Sequence, residues 1–479
     1  MEKKKSVLFA ASEGMPFVKS GGLADVIGSL PQELTKRFDL RVVLPLYADV
    51  IERWIDKLEK VATFPVNQGQ KQTVASVYRY VLNGITYYFI EHQGYFEREN
   101  LYGYPDDGER FAFFDLAIVD MFEHLNYFPD IIHSNDWQTG MIPLLCKKRH
   151  GSDVRYQRIR HVYTIHNILF QGNFPPEMLE SCLGLPMDLF NDGTLRQGRD
   201  INFMKAAILF SDKITTVSNN YAHEILTPEY GEGLEKILQL RSWDLWGIVN
   251  GIDINMWDPK KDKKIPKRYS AEDLKGKREC KRALQRSMGL RVSSDTMLVA
   301  MVSRLTSQKG VYLLLDHIYE LMGLDIQFVV LGTGDEHAEN GLRSLEYRFP
   351  HRAVYYRGYN EELSHRIYAG ADAFMMPSVF EPCGISQLIS MRYGTLPIVR
   401  ETGGLKDTVD PYNAYTGEGT GFSFKNATGE DILHVTRLAA EVYYNNKDAW
   451  TRLIQNAMAK DVSWEGSANL YFRLYDSIL

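Results

Sequence analysis

Lys19-Ser20-Gly21-Gly22 follows the short apolar run at residues 6–12 and precedes a helical pattern. Two adjacent glycines in such a turn mean a hard bend or a close approach by something else. A helix N-terminus directly behind them suits an anion. The lysine precedes the glycines and the wider spacing is absent, so the stretch is not a P-loop. Arg304 and Lys309, five residues apart with Gly310 behind them, flank a second strand-to-helix turn. A forked donor beside a compact charge suits a diphosphate; the alternative is a surface pair balanced by acidic neighbours. In SVFEPCGISQL (378–388), Glu381 is followed at once by Pro382, which marks a tight non-helical turn before a helical run. A carboxylate there either accepts hydroxyls from a sugar or caps the helix. Cys383 alone reads as a small buried hydrophobe. TGGLKDTV (402–409) repeats the Gly-Gly-Leu theme; its amides either serve phosphate oxygens or form a structural turn. HSNDWQTG (133–140) and YTIHN (163–167) put Asp136, His166 and Asn167 at strand ends. A lone histidine there is more often a packed or hydrogen-bonded structural residue. No Ser-His-Asp spacing occurs. Neither an Asp-x-Asp nor a cluster of His and carboxylates has metal-ligand spacing, so no metal site is expected.

These side chains need a frame. Val/Ile-rich runs alternate with longer helical patterns: SVLFAA, LRVVLPL, TYYFIEH, DIIHSND, HVYTIHN and KITTVS in the first half. WGIVNGIDINMWDP then reads as a strand and a turn ending near Pro259, and SAEDLKGKRECKRALQRSMGL as a helix that starts near Ser270 and Asp273. A second series follows: TMLVAMVSRL, the helix VYLLLDHIYELM, IQFVVLGTGD, AVYYRGY, AFMMPS and TLPIVRET. Apolar runs of this kind indicate parallel sheets covered on both faces. The fold class is therefore α/β with two doubly wound, Rossmann-like domains, whose ligands sit at the carboxyl ends of the strands. The last segment, SWEGSANLYFRLYDSIL, is an amphipathic helix able to pack on either domain.

The 479 residues suit two or three domains, and 44% hydrophobic with 24% charged residues is ordinary for a globular protein. A net charge of −6 argues against a nucleic-acid partner. The basic stretch KKDKKIPKR (260–268) reads as a solvated surface segment. Cys146, Cys182, Cys280 and Cys383 are far apart and form no CxxC pair. That argues against a disulfide framework and for a reducing, cytoplasmic compartment. No apolar stretch is long enough for a bilayer, so no membrane partner is expected. The run behind MEKKK is too short for a signal sequence and reads as a buried strand.

KSGGLADVIGSLP, HSNDWQTG, TIHN, GIVNGID, VSRLTSQKG, FEPCGISQL and YGTLPIVRETGGLKDTV follow one another in an order and spacing that resembles the bacterial glycogen synthases and plant starch synthases. These are the ADP-glucose-type enzymes of glycosyltransferase family 5. Each motif is weak alone, and seven together are specific. The resemblance implies a GT-B fold with an interdomain active-site cleft. It implies an N-terminal domain at 1–247, a nucleotide-sugar domain at 248–460, and a helix at 461–479 packing back toward the N-terminal domain. It implies transfer of glucose, with retention, from ADP-glucose to the non-reducing end of an α-1,4-glucan, with no cofactor and no metal requirement.

Carried over position by position, the resemblance implies that Lys19, with the Gly21 and Gly22 amides, faces the diphosphate and glucose of the donor from the first domain. Arg304 and Lys309 hold its diphosphate from the second. Asp25 and Asn250 lie near the donor, and Tyr359 stacks on adenine. Ser378, Cys383, Gly384, Thr402, Gly403 and Gly404 complete the donor set. Glu381 contacts the transferring glucose, His166 lies beside the anomeric centre, and Asp136 and Asn167 serve the glucose or acceptor. Many retaining GT-B enzymes carry a second glutamate eight residues after the first; here Ile389 stands there, as in the synthase subgroup. Rivals are a UDP-glucose transferase of the same fold and a non-catalytic glucan-binding protein, which would have no need of Lys19, Arg304, Lys309 and Glu381 together. A dehydrogenase is excluded because the first strand lacks G-x-G-x-x-G.

Overall fold

A computed structural model describes residues 4–479. The chain divides into two compact units: Met1–Asn250 with Trp464–Leu479, and Gly251–Ser463. Both divisions fall three residues beyond the boundaries expected at 247 and 460.

In the first unit the strands are β1 (Ser6–Ala10), β2 (Asp39–Pro45), β3 (Glu59–Gln68), β4 (Lys71–Leu82), β5 (Ile85–Glu91), β6 (Ile131–Asn135), β7 (Arg160–Ile165), β8 (Asn173–Phe174), β9 (Arg196–Gln197), β10 (Asp200–Asn202), β11 (Lys213–Thr216) and β12 (Leu245–Gly247). The main sheet runs β12-β11-β7-β6-β1-β2-β5-β4-β3, and β8, β10 and β9 form a small sheet of their own. From β12 to β5 every pairing is parallel. β1 and β6 are buried along their whole length, as a strand covered on both faces must be.

The expectation of a wholly parallel sheet is corrected at one edge. β4 and β3 are added antiparallel. Pro65 lies in β3, tolerable because β3 is the edge strand. Its alternating burial shows one face turned to the core, against the helix Asp107–His124.

The second unit holds β13 (Met297–Val302), β14 (Ile326–Gly332), β15 (Ala353–Arg357), β16 (Ala373–Met376), β17 (Leu396–Arg400) and β18 (Phe422–Phe424). They form a parallel sheet in the order β15-β14-β13-β16-β17-β18. VYLLLDHIYELM is not one helix but two, Val311–Asp316 and Ile318–Met322. The break is at His317, whose ring lies against Gly429, the first residue of another helix; a Cβ on Gly429 would come within 2.0 Å of it. The Lys275–Ser287 helix also begins later than Ser270: Ser270 and Asp273 bond each other, and Asp273 Oδ1 accepts the Lys275 amide at 3.1 Å. Of the GIVNGID stretch only Gly247 is strand, closing β12. KKDKKIPKR is largely exposed but anchored by buried Asp262, which accepts from His365 Nδ1 at 2.8 Å and Tyr393 OH at 2.6 Å.

The C-terminal helix Glu465–Asp476 packs on the Gly22–Leu34 helix of the first unit. It buries Tyr471 and Tyr475, and the Tyr475 hydroxyl meets His133 Nδ1 in β6 at 2.7 Å. Burial lowers the His133 pKa to about 3, so the ring is neutral; Thr164 Oγ1 meets its other nitrogen at 2.6 Å. Replacing Tyr475 with Phe strands a buried ring nitrogen. The expected loss is about 1–3 kcal/mol in urea unfolding. An unchanged midpoint would show that the bond contributes nothing.

Candidate functional site

In the first unit, the site residues lie where β1, β6 and β7 end. The loop after β1 is held by its own backbone: Gly14 and Val18 exchange hydrogen bonds, and the Met15 amide donates to Ala24 O at 3.0 Å. Lys19 Nζ meets Asp25 Oδ1 at 2.7 Å, with both side chains about one-third exposed. Gly21 is the N-cap of the Gly22–Leu34 helix. Its amide does not await a ligand. It donates to Glu13 Oε2 at 3.1 Å, and the Ser20 amide donates to the same oxygen. Glu13 is buried, and burial raises its pKa against the opposing effect of those amide bonds. Glu13 is thus the shared acceptor of the Ser20 and Gly21 amides at this turn. Glu13 was missed by the sequence argument, although it closes the first apolar run and sits at its carboxyl end.

Asp136 follows β6 with φ 56° and ψ −176°, a region otherwise almost confined to glycine. The strain is held by three bonds. Its amide donates to Thr164 O at 3.0 Å, and its Oδ1 accepts the amides of His166 at 2.8 Å and Asn167 at 3.4 Å. Burial outweighs those donors and raises the Asp136 pKa to about 7; nearby Glu13 adds to the rise. His166 is lowered to about 3 by burial and is neutral. Its Nε2 lies 2.9 Å from Asn135 Oδ1, while the Asn135 amide nitrogen donates to Ala10 O and His133 O. The Asn135 oxygen is thereby an acceptor, so the His166 proton is on Nε2 and committed to it. Asn167 Oδ1 accepts the Leu169 amide at 3.1 Å. Asn250 is buried, and its Oδ1 has no partner among the described residues, an acceptor left over.

The second unit repeats the arrangement at the ends of β13, β16 and β17. Arg304 is exposed. Lys309 Nζ pairs with Glu381 Oε2 at 2.6 Å, and Ser378 Oγ donates to the same oxygen at 3.0 Å. Glu381 is 6% exposed, and its carboxylate pairs with Lys309 rather than capping the Ser386–Arg392 helix. Gly310 has φ 72°, and a Cβ there would reach 1.9 Å from Pro377 O. Two loops are thus pressed together, joined also by the Val379 amide donating to Gln308 O at 2.8 Å.

Gly403 and Gly404 play the same part. A Cβ on Gly403 would meet Glu381 O at 1.9 Å, and one on Gly404 would meet Cys383 O at 2.3 Å. The Gly404 amide donates to Glu381 O at 3.2 Å and Pro382 O at 3.0 Å, and the Thr402 amide to Arg400 O at 2.9 Å. The Gly404 amide thus holds the Glu381 turn, while the Thr402 amide closes its own loop. Cys383 is buried; Gln387 Nε2 donates to its carbonyl at 2.9 Å and to that of Gly384 at 3.1 Å, with Gly384 at φ 75°. Tyr359 is 70% exposed, on the turn after Gly358. Ile389 is buried in the helix Ser386–Arg392 and belongs to the core. Among the described residues no group of three or more His, Cys, Asp or Glu could hold a metal, and no helix is long and apolar enough to cross a membrane.

Two family profiles match the chain: "Starch synthase catalytic domain" over residues 6–240 and "Glycosyl transferases group 1" over 289–457. A glycogen synthase from Clostridium beijerinckii is 46% identical over 471 residues, covering 98% of each chain. One from Bacillus cereus is 46% identical over 477 residues, 99% of this chain and 100% of its own. Among solved structures, the catalytic domain of starch synthase IV from Arabidopsis thaliana, bound to ADP and acarbose, superposes with a TM-score of 0.91. It is 34% identical over 99% of both chains. Sucrose-phosphate synthase from Thermosynechococcus elongatus, at 16% identity and TM-score 0.59, shares the fold.

A raised Asp136 pKa means that the folded state holds this proton more tightly than the unfolded chain. The associated stability is fully present below about pH 4 and is lost as pH rises to about 7. Asp136→Asn does not titrate. Its Tm relative to the native protein should therefore climb between pH 4 and pH 8, and a constant difference would show that Asp136 is ionised throughout.

Proposed function

The chain belongs to the glycogen synthase and starch synthase family, with the GT-B fold of a retaining glycosyltransferase, and we propose that it transfers glucose from ADP-glucose to the non-reducing end of an α-1,4-glucan, releasing ADP. The observation that carries this is the Lys309–Glu381–Ser378 cluster at the strand ends of the second unit, with an exposed Arg304 five residues before Lys309.

In the proposal Arg304 forks onto the diphosphate and Lys309 shares its charge between Glu381 and the leaving phosphate. Neutralised in this way, ADP departs without a general acid. Glu381, stripped of water, lowers the cost of positive charge growing on the transferring glucose. His166 cannot supply a proton, because its Nε2–H is committed to Asn135. It offers a neutral ring edge and a carbonyl oxygen, both suited to an oxocarbenium-like centre. Asp136, Asn167 and the unsatisfied Asn250 oxygen take sugar hydroxyls, Lys19 and Asp25 act on the donor from the first unit, and Tyr359 offers its exposed ring to adenine. Gly310, Gly403 and Gly404 act through close backbone approach. A cytoplasmic location belongs to the same proposal and rests on the four free, buried cysteines.

Nucleotide release from ADP-glucose and UDP-glucose, each with and without glycogen and in EDTA, is the test. ADP release that needs glycogen and resists EDTA is expected. Lys309→Ala and Glu381→Gln should each lower kcat by about 10²-fold or more. A preference for UDP-glucose would overturn the donor, and release from neither would overturn the transfer.

A further inference from the structure

Glu339 has no part in the transfer chemistry above. It stands in the helix Glu336–Arg348, which follows β14, and is 2% exposed. Its partners come from two neighbouring strand ends. Oε1 accepts the Thr333 hydroxyl at 2.7 Å and the Gly334 amide at 3.2 Å, in the turn that closes β14. Oε2 takes Arg357 Nε at 2.7 Å, from the last residue of β15, and Arg343 of its own helix at 3.4 Å. A buried carboxylate must be paired. Here the pairing draws two loops and a helix onto one point.

The strand order gives those loops a place. In β15-β14-β13-β16-β17-β18 the chain reverses its direction across the sheet between β13 and β16, and ligands of such sheets lie outside the carboxyl ends there. The Lys309–Glu381–Ser378 cluster follows β13 and β16. β14 and β15 are the next strands on the other side of β13, about 5 and 10 Å away. A nucleoside attached to a diphosphate at that cluster reaches over them. Tyr359, 70% exposed, stands there two residues after Arg357. Its turn is fixed on both sides: the Gly358 amide donates to Gly332 O at 3.0 Å, and Asn360 Oδ1 accepts the Leu363 amide at 2.9 Å. We propose that Glu339 is a positioning residue for the nucleoside half of the donor: by tying the Thr333–Gly334 turn to Arg357, it sets the two strand-end loops, and the Tyr359 ring, against which the nucleoside lies. The proposal rests on the transferase function above and deepens it. The diphosphate depends on Glu339 less. The Arg304 segment is stitched to the same turn by backbone alone, the Leu305 amide to Thr333 O at 2.9 Å and the Asp335 amide to Leu305 O at 2.8 Å, and Lys309 is held by Glu381.

Glu339→Ala, Glu339→Gln, Arg357→Ala, Arg343→Ala and the native protein are compared by kcat and KM for ADP-glucose, ADP binding by calorimetry, inhibition by inorganic pyrophosphate, and Tm. Pyrophosphate carries the diphosphate without the nucleoside. Glu339→Ala should weaken ADP about tenfold or more and raise KM in step, with kcat within about threefold, as loss of binding shared by ground and transition states does. Glu339→Gln keeps an acceptor for Thr333 and Gly334 but loses the charge that holds Arg357. It and Arg357→Ala should therefore lie between Glu339→Ala and the native protein. Pyrophosphate inhibition should move less than about twofold in every variant. Arg343→Ala removes a partner from the same helix as Glu339 and should match the native protein.

Native ADP affinity in a folded Glu339→Ala would overturn the proposal. So would an equal loss for ADP and pyrophosphate, a fall in kcat at unchanged KM, or an Arg343→Ala effect as large as that of Arg357→Ala. Should Tm show that Glu339→Ala fails to fold, the Glu339→Gln and Arg357→Ala variants decide by the same readouts. A native protein that binds ADP but releases none from ADP-glucose with glycogen would overturn the transferase function alone, and the ADP and pyrophosphate arms would still judge Glu339. A native protein that does not bind ADP would overturn both.

Discussion

A parallel strand buried on both faces has no place for a charge along its length. β1, β6, β13 and β14 are apolar or enclosed throughout, so chemistry is displaced to the residues just beyond their carboxyl ends. Glu13, Asp136, His166, Arg304, Ser378 and Glu381 all stand in such segments. The constraint explains why residues far apart in sequence gather into two clusters. It also explains why the first polar residue after each apolar run is the informative one.

Displacement to strand ends does not free these groups from desolvation. Each buried polar group there must find a partner, and the partners are local. Asp136 takes the amides of His166 and Asn167, Glu13 those of Ser20 and Gly21, and Glu381 the Lys309 ammonium and the Ser378 hydroxyl. Glycines make this possible by letting backbones touch. At Gly310 and Gly403 any side chain would lie within 2.0 Å of a carbonyl oxygen on the neighbouring loop. The Gly403-Gly404-Leu405 motif is thus a contact point between loops, its Gly404 amide spent on the chain's own oxygens.

This is also where sequence argument stopped. The buried strands were legible because apolar runs and their spacing are local. The motif residues were legible because each sits directly after such a run. The edge strands β3 and β4 were not, since Pro65 and a polar turn around Gly69 mask the pattern that pairing and the Asp107–His124 helix enforce. The break at His317 depends on Gly429, more than a hundred residues away in the chain. Glu13 was illegible for the same reason. Its neighbours Ser20 and Gly21 suggested an anion, and only the fold shows that the anion is part of the chain.

The two clusters differ in the charge they have left to offer. In the first unit Lys19 is bridged to Asp25, His166 is neutral, and Asp136 holds its proton up to about pH 7. What stays on offer is neutral and polar: an unsatisfied Asn250 oxygen, a histidine edge and strained Asp136. Such groups match hydroxyls, which donate and accept without bringing charge into a dry place. In the second unit Lys309 is matched by Glu381, and Arg304 stands exposed. An exposed guanidinium presents a planar fork of donors, which suits an oxyanion. The two clusters therefore differ in kind: neutral hydrogen-bonding groups in the first unit, charged ones in the second.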